Sequence, residues 1–237
     1  MRTVQVGSLY ALMAVGLTLT FAVLRLPNFA HAELITVGGY TALVLSLFAS
    51  GNPLLVIGGS IVAAGLVALI SHRTVFRPLS RLNSSMYTLI LASFALGLIV
   101  RYLLFLFADR YDLFDKRIAV PVEVWFQSAA LTITNIFFWV VPTSIGLVLA
   151  LSLLLNYTPL GREMRALADN FALAKVIGIP VERVHDLTWL LVGGLAGVLV
   201  GVWVGVTVGV SVGVAVLVGV GVIVGVEVGV GDGPTRV

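Results

Sequence analysis

Residues 34–72, LITVGGYTALVLSLFASGNPLLVIGGSIVAAGLVALISH, contain no aspartate, glutamate, lysine or arginine. A helix needs about 20 predominantly apolar residues to cross the hydrocarbon core of a bilayer, so this stretch is long enough for two crossings. Near its middle, Gly51, Asn52 and Pro53 form a turn signal. The sequence therefore predicts two membrane-spanning helices here, joined by a short turn.

Four other stretches also lack charged side chains: residues 3–24, 82–100, 124–161 and 187–226. A basic start at Arg2 would fit a cleaved signal peptide, but that explanation covers only the first stretch. We predict an all-α membrane protein, a polytopic helical bundle of about six to seven transmembrane helices. Six spans are predicted near residues 4–24, 30–49, 54–72, 85–107, 136–155 and 187–207.

The overall composition supports this class. The 237 residues are 59% hydrophobic and 11% charged, with a mean hydropathy of +1.12, whereas an ordinary soluble domain carries about 25% charged residues. The net charge of +3 is small and spread over loops, which argues against a nucleic-acid partner.

The chain lacks the residue patterns of catalysis. It has no cysteine, which excludes a disulfide framework and a thiolate nucleophile. It has no Gly-rich ATP-binding loop and no His-Glu-x-x-His motif, and His72 and His185 are isolated in the sequence. We expect a transport protein and not an enzyme, with no cofactor of its own and with energy from a partner or an ion gradient.

Basic residues predict the orientation, because cytoplasmic loops collect lysine and arginine. If the loop at 73–85 is cytoplasmic, strict alternation places most basic residues inside. The acidic loop at 109–123 is then external, and the long polar segment at 156–186 is cytoplasmic. We predict a multi-pass protein of the cell membrane with an external N-terminus.

A polar junction between the first two spans is a candidate transport element. Asn28, His31 and Glu33 fall within six residues, and polar groups at membrane depth usually face a cavity or the bundle interior. Pro27 disfavours helical geometry at the preceding residue, which predicts a break between helices. Two interpretations remain open: a translocation-pathway element, or a cytoplasmic elbow in which Asn28 and His31 only cap the second helix.

Arg101 lies inside the fourth span, roughly two turns from its outer end. The favoured interpretation is a snorkelling or structural arginine. The alternative is a pathway residue that pairs with Glu33 of another helix.

The cytoplasmic stretch at 162–177 has apolar residues three and four positions apart, among them Met164, Leu167 and Phe171. This spacing predicts one amphipathic helix, which Gly178 and Pro180 end. The stretch is too polar to cross lipid, so it lies either on the bilayer surface or in a groove of a partner protein.

Two parts of the sequence together resemble the permeases of branched-chain amino-acid ABC importers. The first contains NFAH at 28–31 and GGY at 38–40, and the second contains LGR at 160–162 and GGLAG at 193–197. The family usually has glycine after the histidine, where this chain has Ala32. The resemblance covers about residues 5–207.

The resemblance implies a permease subunit that translocates branched-chain or related amino acids, driven by ATP hydrolysis on partner subunits. The implied partners are a second permease chain (the same or a paralogue), two cytoplasmic ATPases that hold ATP and magnesium, an external substrate-binding protein, and membrane lipid. With Tyr40 of the GGY motif, the predicted pathway residues are Asn28, His31, Glu33, Tyr40 and Arg101.

The resemblance also implies that residues 160–185 form a coupling segment, which docks on the ATPase. The coupling residues that it implies are Arg162, Glu163, Arg165, Ala166, Asp169, Asn170, Ala174 and Gly178.

The C-terminal part departs from the family pattern, because every even-numbered residue from Val198 to Val230 is valine. We divide the chain into a permease domain at 1–207 and an irregular Val-Gly tail at 208–237, which is an extra span or a frameshifted end. The tail supports an alternative interpretation, in which the chain is a truncated and non-functional permease. A gradient-driven secondary transporter or channel is the other alternative, but it leaves the coupling segment unexplained.

Overall fold

The computed structural model describes residues 2–24, 27–48, 53–82, 84–114, 124–128 and 131–204. Nine α-helices occur in these ranges, with a π-helical turn (His72–Phe76) between the third and fourth. They are α1 (Arg2–Leu24), α2 (His31–Phe48), α3 (Pro53–Ser71), α4 (Arg77–Arg81), α5 (Met86–Arg110), α6 (Asn135–Tyr157), α7 (Pro159–Asp169), α8 (Phe171–Val176) and α9 (Val181–Val204). The predicted Val-Gly tail at 208–237 lies outside the described residues.

Each of the six predicted spans coincides with one long helix (α1, α2, α3, α5, α6 or α9), so the all-α membrane class is confirmed. Within the described ranges, two helical stretches are long and apolar enough to cross a membrane on their own, Leu54–Arg81 and Met86–Arg110. A third candidate is the pair α6 and α7, which meet at an angle of 78°. The total of six to seven spans stays a prediction.

A two-stranded antiparallel hairpin, which was not predicted, lies between α5 and α6. Its strands are β1 (Val124–Ser128) and β2 (Leu131–Thr134), with Phe126 opposite Ile133. It belongs to the loop that alternation places outside.

The arginine-rich run after the third span is helical, contrary to the predicted break at 73–85. α3 continues through the π-helical turn into α4 and ends only at Arg81. Pro78 cannot donate a backbone hydrogen bond to the preceding turn, and it closely follows the π-helical turn, a local irregularity of the kind that accompanies proline inside helices. Because carboxylates of α9 pair with the arginines, the helix extends beyond the apolar span.

Helix α9 lies at the centre of the bundle and packs against α1, α2 and α3. It approaches α3 closely at Gly193, where an added Cβ would lie 2.5 Å from the carbonyl oxygen of Ala64 and 2.7 Å from the Cβ of Ala68. Small residues at such crossings let two backbones meet, as is common between membrane helices.

Aromatic side chains pack at the end of the same interface that lies next to the π-helical turn. The Trp189 ring in α9 stacks on Phe76 and on His72, with ring centroids 4.8 Å and 5.6 Å apart. Trp189 and Phe76 are buried together with Leu34 of α2. This cluster joins α2, α9 and the π-helical turn.

Candidate translocation site and coupling segment

Helix α2 begins deep inside the bundle and not at its end. A Cβ added to Gly16, near the middle of α1, would lie 2.6 Å from Cε1 of His31. A Cβ added to Gly97, near the middle of α5, would lie 3.5 Å from the Cα of Ala30. The break between α1 and α2, which Pro27 predicts, therefore places the first turn of α2 at mid-depth.

One face of α5 holds this first turn of α2 in place. Ser93, Gly97 and Arg101 are spaced four residues apart, so they share a face. The Ser93 hydroxyl oxygen accepts a hydrogen bond of 3.3 Å from the backbone N–H of Phe29. Arg101 donates to the Glu33 carboxylate, so the pairing that the sequence offered as an alternative is present.

Asn28 caps α2 through both its side chain and its backbone. Its Oδ1 accepts from the N–H of Ala30 at 3.1 Å, and its carbonyl oxygen accepts from the N–H of His31 at 3.1 Å. These contacts fit the capping interpretation of the junction.

Capping does not satisfy every polar atom of this turn. Nδ2 of Asn28, Nδ1 of His31 and Oε2 of Glu33 are buried and have no hydrogen-bond partner among the described residues. Unpaired buried polar atoms are rare in folded proteins, and here three occur within six residues. The turn therefore offers a donor, Asn28 Nδ2, and an acceptor, Glu33 Oε2, at mid-depth.

Tyr40 lies further from the junction than the other predicted pathway residues. It follows Glu33 by seven residues on α2, which places it two turns away on the same face, and it is half-buried. The structure thus brings Asn28, His31, Glu33 and Arg101 to one level of the bundle, and Tyr40 continues their face.

The segment predicted as one helix at 162–177 is two helices in the structure. α7 begins at Pro159, with Thr158 as its cap, and ends at Asp169. Asn170 has extended backbone angles, and its Oδ1 accepts from the N–H of Leu173 at 3.0 Å to begin α8. Asparagine competes for backbone groups in this way. The predicted stop is confirmed, because Gly178 follows α8 with φ of +87°.

The apolar face of α7 is covered by the chain itself, at least at Met164 and Leu167. Both side chains are fully buried. They pack in a cluster that also contains Leu19 and Val23 of α1, Ala174 of α8, and Val184 and Val192 of α9. The coupling segment is therefore anchored to α1 and α9.

The predicted coupling residues differ in exposure. Ala174 is buried, Glu163 and Ala166 are half-buried, and the exposed ones are Arg162, Arg165, Asp169, Asn170 and Gly178. Apolar side chains missing from the prediction are exposed on and just after α8: Leu173 is 56%, Val176 83% and Ile177 65% exposed. An exposed apolar patch of Leu173, Val176 and Ile177 thus lies beside the exposed polar and charged side chains of α7.

Sequence reasoning missed an ion-pair ladder beside this segment, formed by Arg73, Arg77 and Arg81 with Glu182 and Asp186. Arg73 Nη2 lies 2.7 Å from Asp186 Oδ2, Arg81 Nη2 lies 3.1 Å from Glu182 Oε1, and Arg77 also contacts Glu182. The four-residue spacing of the arginines and of the acids is the signal that could have revealed it.

Asp186, which precedes the predicted span at 187–207, is half-buried and is the less exposed of the two carboxylates in the ladder. Burial alone raises the pKa of this carboxyl, but the hydrogen bond and charge of Arg73 outweigh that effect and hold the pKa below its usual value. His72 and His185, isolated in sequence, lie next to it with ring centroids 6.0 Å apart. The described part of the chain contains no group of three residues suited to hold a metal ion.

Comparison with known proteins identifies relatives that match about 80% of the chain. The chain is 32% identical over 195 residues to the probable branched-chain amino acid transport permease protein LivH of Methanocaldococcus jannaschii, covering 80% of this chain and 60% of that protein. It is 30% identical over 206 residues to the high-affinity branched-chain amino acid transport system permease protein LivH of Escherichia coli K12, covering 81% and 65%. The corresponding protein BraD of Pseudomonas aeruginosa is 27% identical over 208 residues.

These curated relatives are longer, and the chain spans 60–65% of their length. No solved structure matches the chain. A family model described as the permease component of branched-chain amino acid transport systems matches residues 1–230, so the match runs past residue 207 into the Val-Gly tail. The chain therefore belongs to this family of branched-chain amino acid transport permeases.

Proposed function

We propose that the chain is the membrane-spanning permease subunit of an ABC importer in the cell membrane. It moves branched-chain or related amino acids inward, and ATP is hydrolysed on partner subunits. Family membership supports the transport role. The structural observation that carries the ATP-driven role is the coupling segment, which is anchored through Met164 and Leu167 but exposes Leu173, Val176 and Ile177.

An anchored helix pair with an exposed apolar patch is suited to a partner's groove. In this proposal the partner is a cytoplasmic ATPase with bound ATP and magnesium, and closure of two ATPases pulls on two coupling segments. A second permease chain, an external substrate-binding protein and the surrounding lipid complete the assembly. The N-terminus is then external, and α7 and α8 are cytoplasmic.

The proposed translocation site is the first turn of α2. A helix N-terminus carries a partial positive charge that favours a carboxylate, and transporters use such mid-depth helix ends for anionic substrate groups. Asn28 and His31 add polar atoms here, while the free Oε2 of Glu33 is suited to accept from the substrate ammonium. Tyr40 and Arg101 border the same face.

The test is uptake of radiolabelled leucine by cells that make the full chain together with its ATPase and binding protein. Val176→Asp places a charge in the exposed apolar patch without disturbing the core, so we expect ATP-dependent uptake to be lost while the chain remains in the membrane. Lys175→Gln, on the same short helix, is the matched control and leaves uptake near the parental rate.

Two outcomes contradict the proposal. If Val176→Asp transports normally, the apolar patch does not couple the chain to an ATPase. If vesicles take up leucine without ATP and an uncoupler abolishes that uptake, the chain works as a gradient-driven transporter instead.

A further inference from the structure

The ion-pair ladder has three cations on one helix but two anions on the other. Arg73, Arg77 and Arg81 are spaced by four residues along the π-helical turn and α4, and Glu182 and Asp186 are spaced by four along the antiparallel α9. In the observed register Asp186 pairs with Arg73 and Glu182 with Arg77. Arg81 is the extra cation, and it also reaches Glu182, at 3.1 Å.

If α9 shifts by one turn toward α4, the number of paired carboxylates in the ladder stays the same. Asp186 then faces Arg77, Glu182 faces Arg81, and Arg73 becomes the extra cation. Glu182 already contacts the arginines of both registers. The arginines also line an open groove of about 400 Å³, which gives their side chains room to exchange partners.

The contact between α3 and α9 also repeats at intervals of four residues, as the ion-pair ladder does. On α3, Ser60, Ala64 and Ala68 follow one another at four-residue intervals, and on α9 Gly193 and Gly197 do the same. Gly193 now lies against Ala64 and Ala68, and Gly197 lies against Ser60. A one-turn shift sets Gly197 against Ala64, so a glycine again meets a small residue.

The π-helical turn keeps the ladder straight. On a regular α-helix an eight-residue step overshoots two turns by about 80°, which would rotate Arg81 away from the face of Arg73. A π turn takes more residues than an α turn, so the stretch His72–Phe76 reduces this overshoot. All three arginines can thus face α9.

From these observations we propose that α9 has two stable registers against α3 and α4, one helical turn apart, between which the ladder exchanges partners. One-turn shifts of this kind are known as discrete switching steps in proteins. Because the coupling segment continues into the first turn of α9, the shift carries a pull on α8 into the bundle. This role in transport rests on the function proposed above, whereas the two registers do not.

Spin-label distances test the two registers without any transport measurement. The chain has no cysteine, so Val62→Cys on α3 and Arg183→Cys on α9, both at exposed positions, accept labels selectively. The full chain is measured in lipid nanodiscs. A shift toward α4 lengthens the label–label distance by about 5 Å, the rise of one turn.

We expect the parent to show the shorter distance with a minor longer one. Arg73→Gln removes the partner of Asp186 in the observed register and raises the longer population. Arg81→Gln removes the partner of Glu182 in the shifted register and abolishes the longer population. Arg73→Lys retains the charge and is the matched control, with the parental distribution.

A single unchanged distance in the parent, Arg73→Gln and Arg81→Gln overturns the inference. If Arg73→Gln does not fold, the parent and Arg81→Gln still decide, because only the parent then shows the longer distance. Two registers in a chain that takes up no amino acid contradict the proposed function and leave the inference standing. If Arg81→Gln lacks the longer distance but takes up leucine normally, the register shift is not part of the transport cycle.

Discussion

Glu33 in the first turn of α2 and Arg101 in α5 form an ion pair inside the bundle, although 68 positions separate them in sequence. Their side chains are 3% and 11% exposed. The pair adds an electrostatic contact to the hydrogen bond that the Phe29 backbone N–H donates to the Ser93 hydroxyl. Together they fix the depth at which α2 begins.

Removing one partner of this pair should destabilise the protein strongly. Arg101→Gln leaves the Glu33 carboxylate buried without its countercharge, which typically costs about 3–5 kcal/mol of unfolding free energy. The double variant Glu33→Gln/Arg101→Gln should lose less than the sum of the single variants, because no lone charge remains. Denaturant unfolding in detergent micelles measures all three, and additive losses would show that the two residues do not interact.

Adjacent glycines of α9 should respond oppositely to the same substitution. Gly193→Ala places a Cβ 2.5 Å from the Ala64 carbonyl oxygen, and overpacking of this kind costs about 1–3 kcal/mol. Gly194→Ala meets only the Ile61 side chain, at 3.5 Å, and gains up to about 1 kcal/mol of helix propensity. Melting temperatures of the two variants in detergent decide the matter, and equal values would argue against the close contact of α3 with α9.

Asn170→Ala should fray the start of α8. The substitution removes the side-chain oxygen that accepts from the N–H of Leu173, a loss of about 0.5–2 kcal/mol for an N-cap. Hydrogen exchange of the Leu173 amide should therefore accelerate. Asn170→Asp retains an oxygen at the cap position, so the Leu173 amide should keep its slow exchange. If this amide exchanges equally fast in both variants, the side chain of residue 170 does not cap α8.

Gly178→Ala should weaken the junction between α8 and α9. With φ of +87°, this position disfavours any residue with a Cβ, at a cost of about 1–2 kcal/mol. Asparagine tolerates positive φ better than alanine, so Gly178→Asn should lie between the parent and Gly178→Ala. The rate of limited proteolysis within residues 171–181 measures the relative stability of the three proteins. The prediction is wrong if Gly178→Ala is cleaved no faster than the parent.

The helices of the fold were predictable because their signal is local. The absence of charge over residues 34–72 and four similar stretches gave six helices, and the sequence resemblance to importer permeases is confirmed by the family match. The helix through Arg81 was missed because its stability depends on Glu182, about a hundred positions away. The hairpin at β1 and β2 was missed because short strands leave a weak signal between two long spans.

The candidate site was predictable only in part. Asn28, His31 and Glu33 stood out because polar residues beside apolar spans are few, but their depth depends on contacts with Gly16 and Gly97. The break at Asn170 was missed because its polarity was assigned to the outer face of a helix and not to capping. The roles of these residues in transport stay predictions.

Because α6 and α7 meet at an angle of 78°, α7 projects nearly perpendicular to α6. Its 11 residues extend about 16 Å sideways from the end of α6, with α8 at the far end. A rotation of about 10° at the elbow displaces that far end by roughly 3 Å, given this length. In the proposed function, a modest force from the ATPase on α8 would therefore act on α6 through this junction, and on α1 and α9 through the buried face of α7.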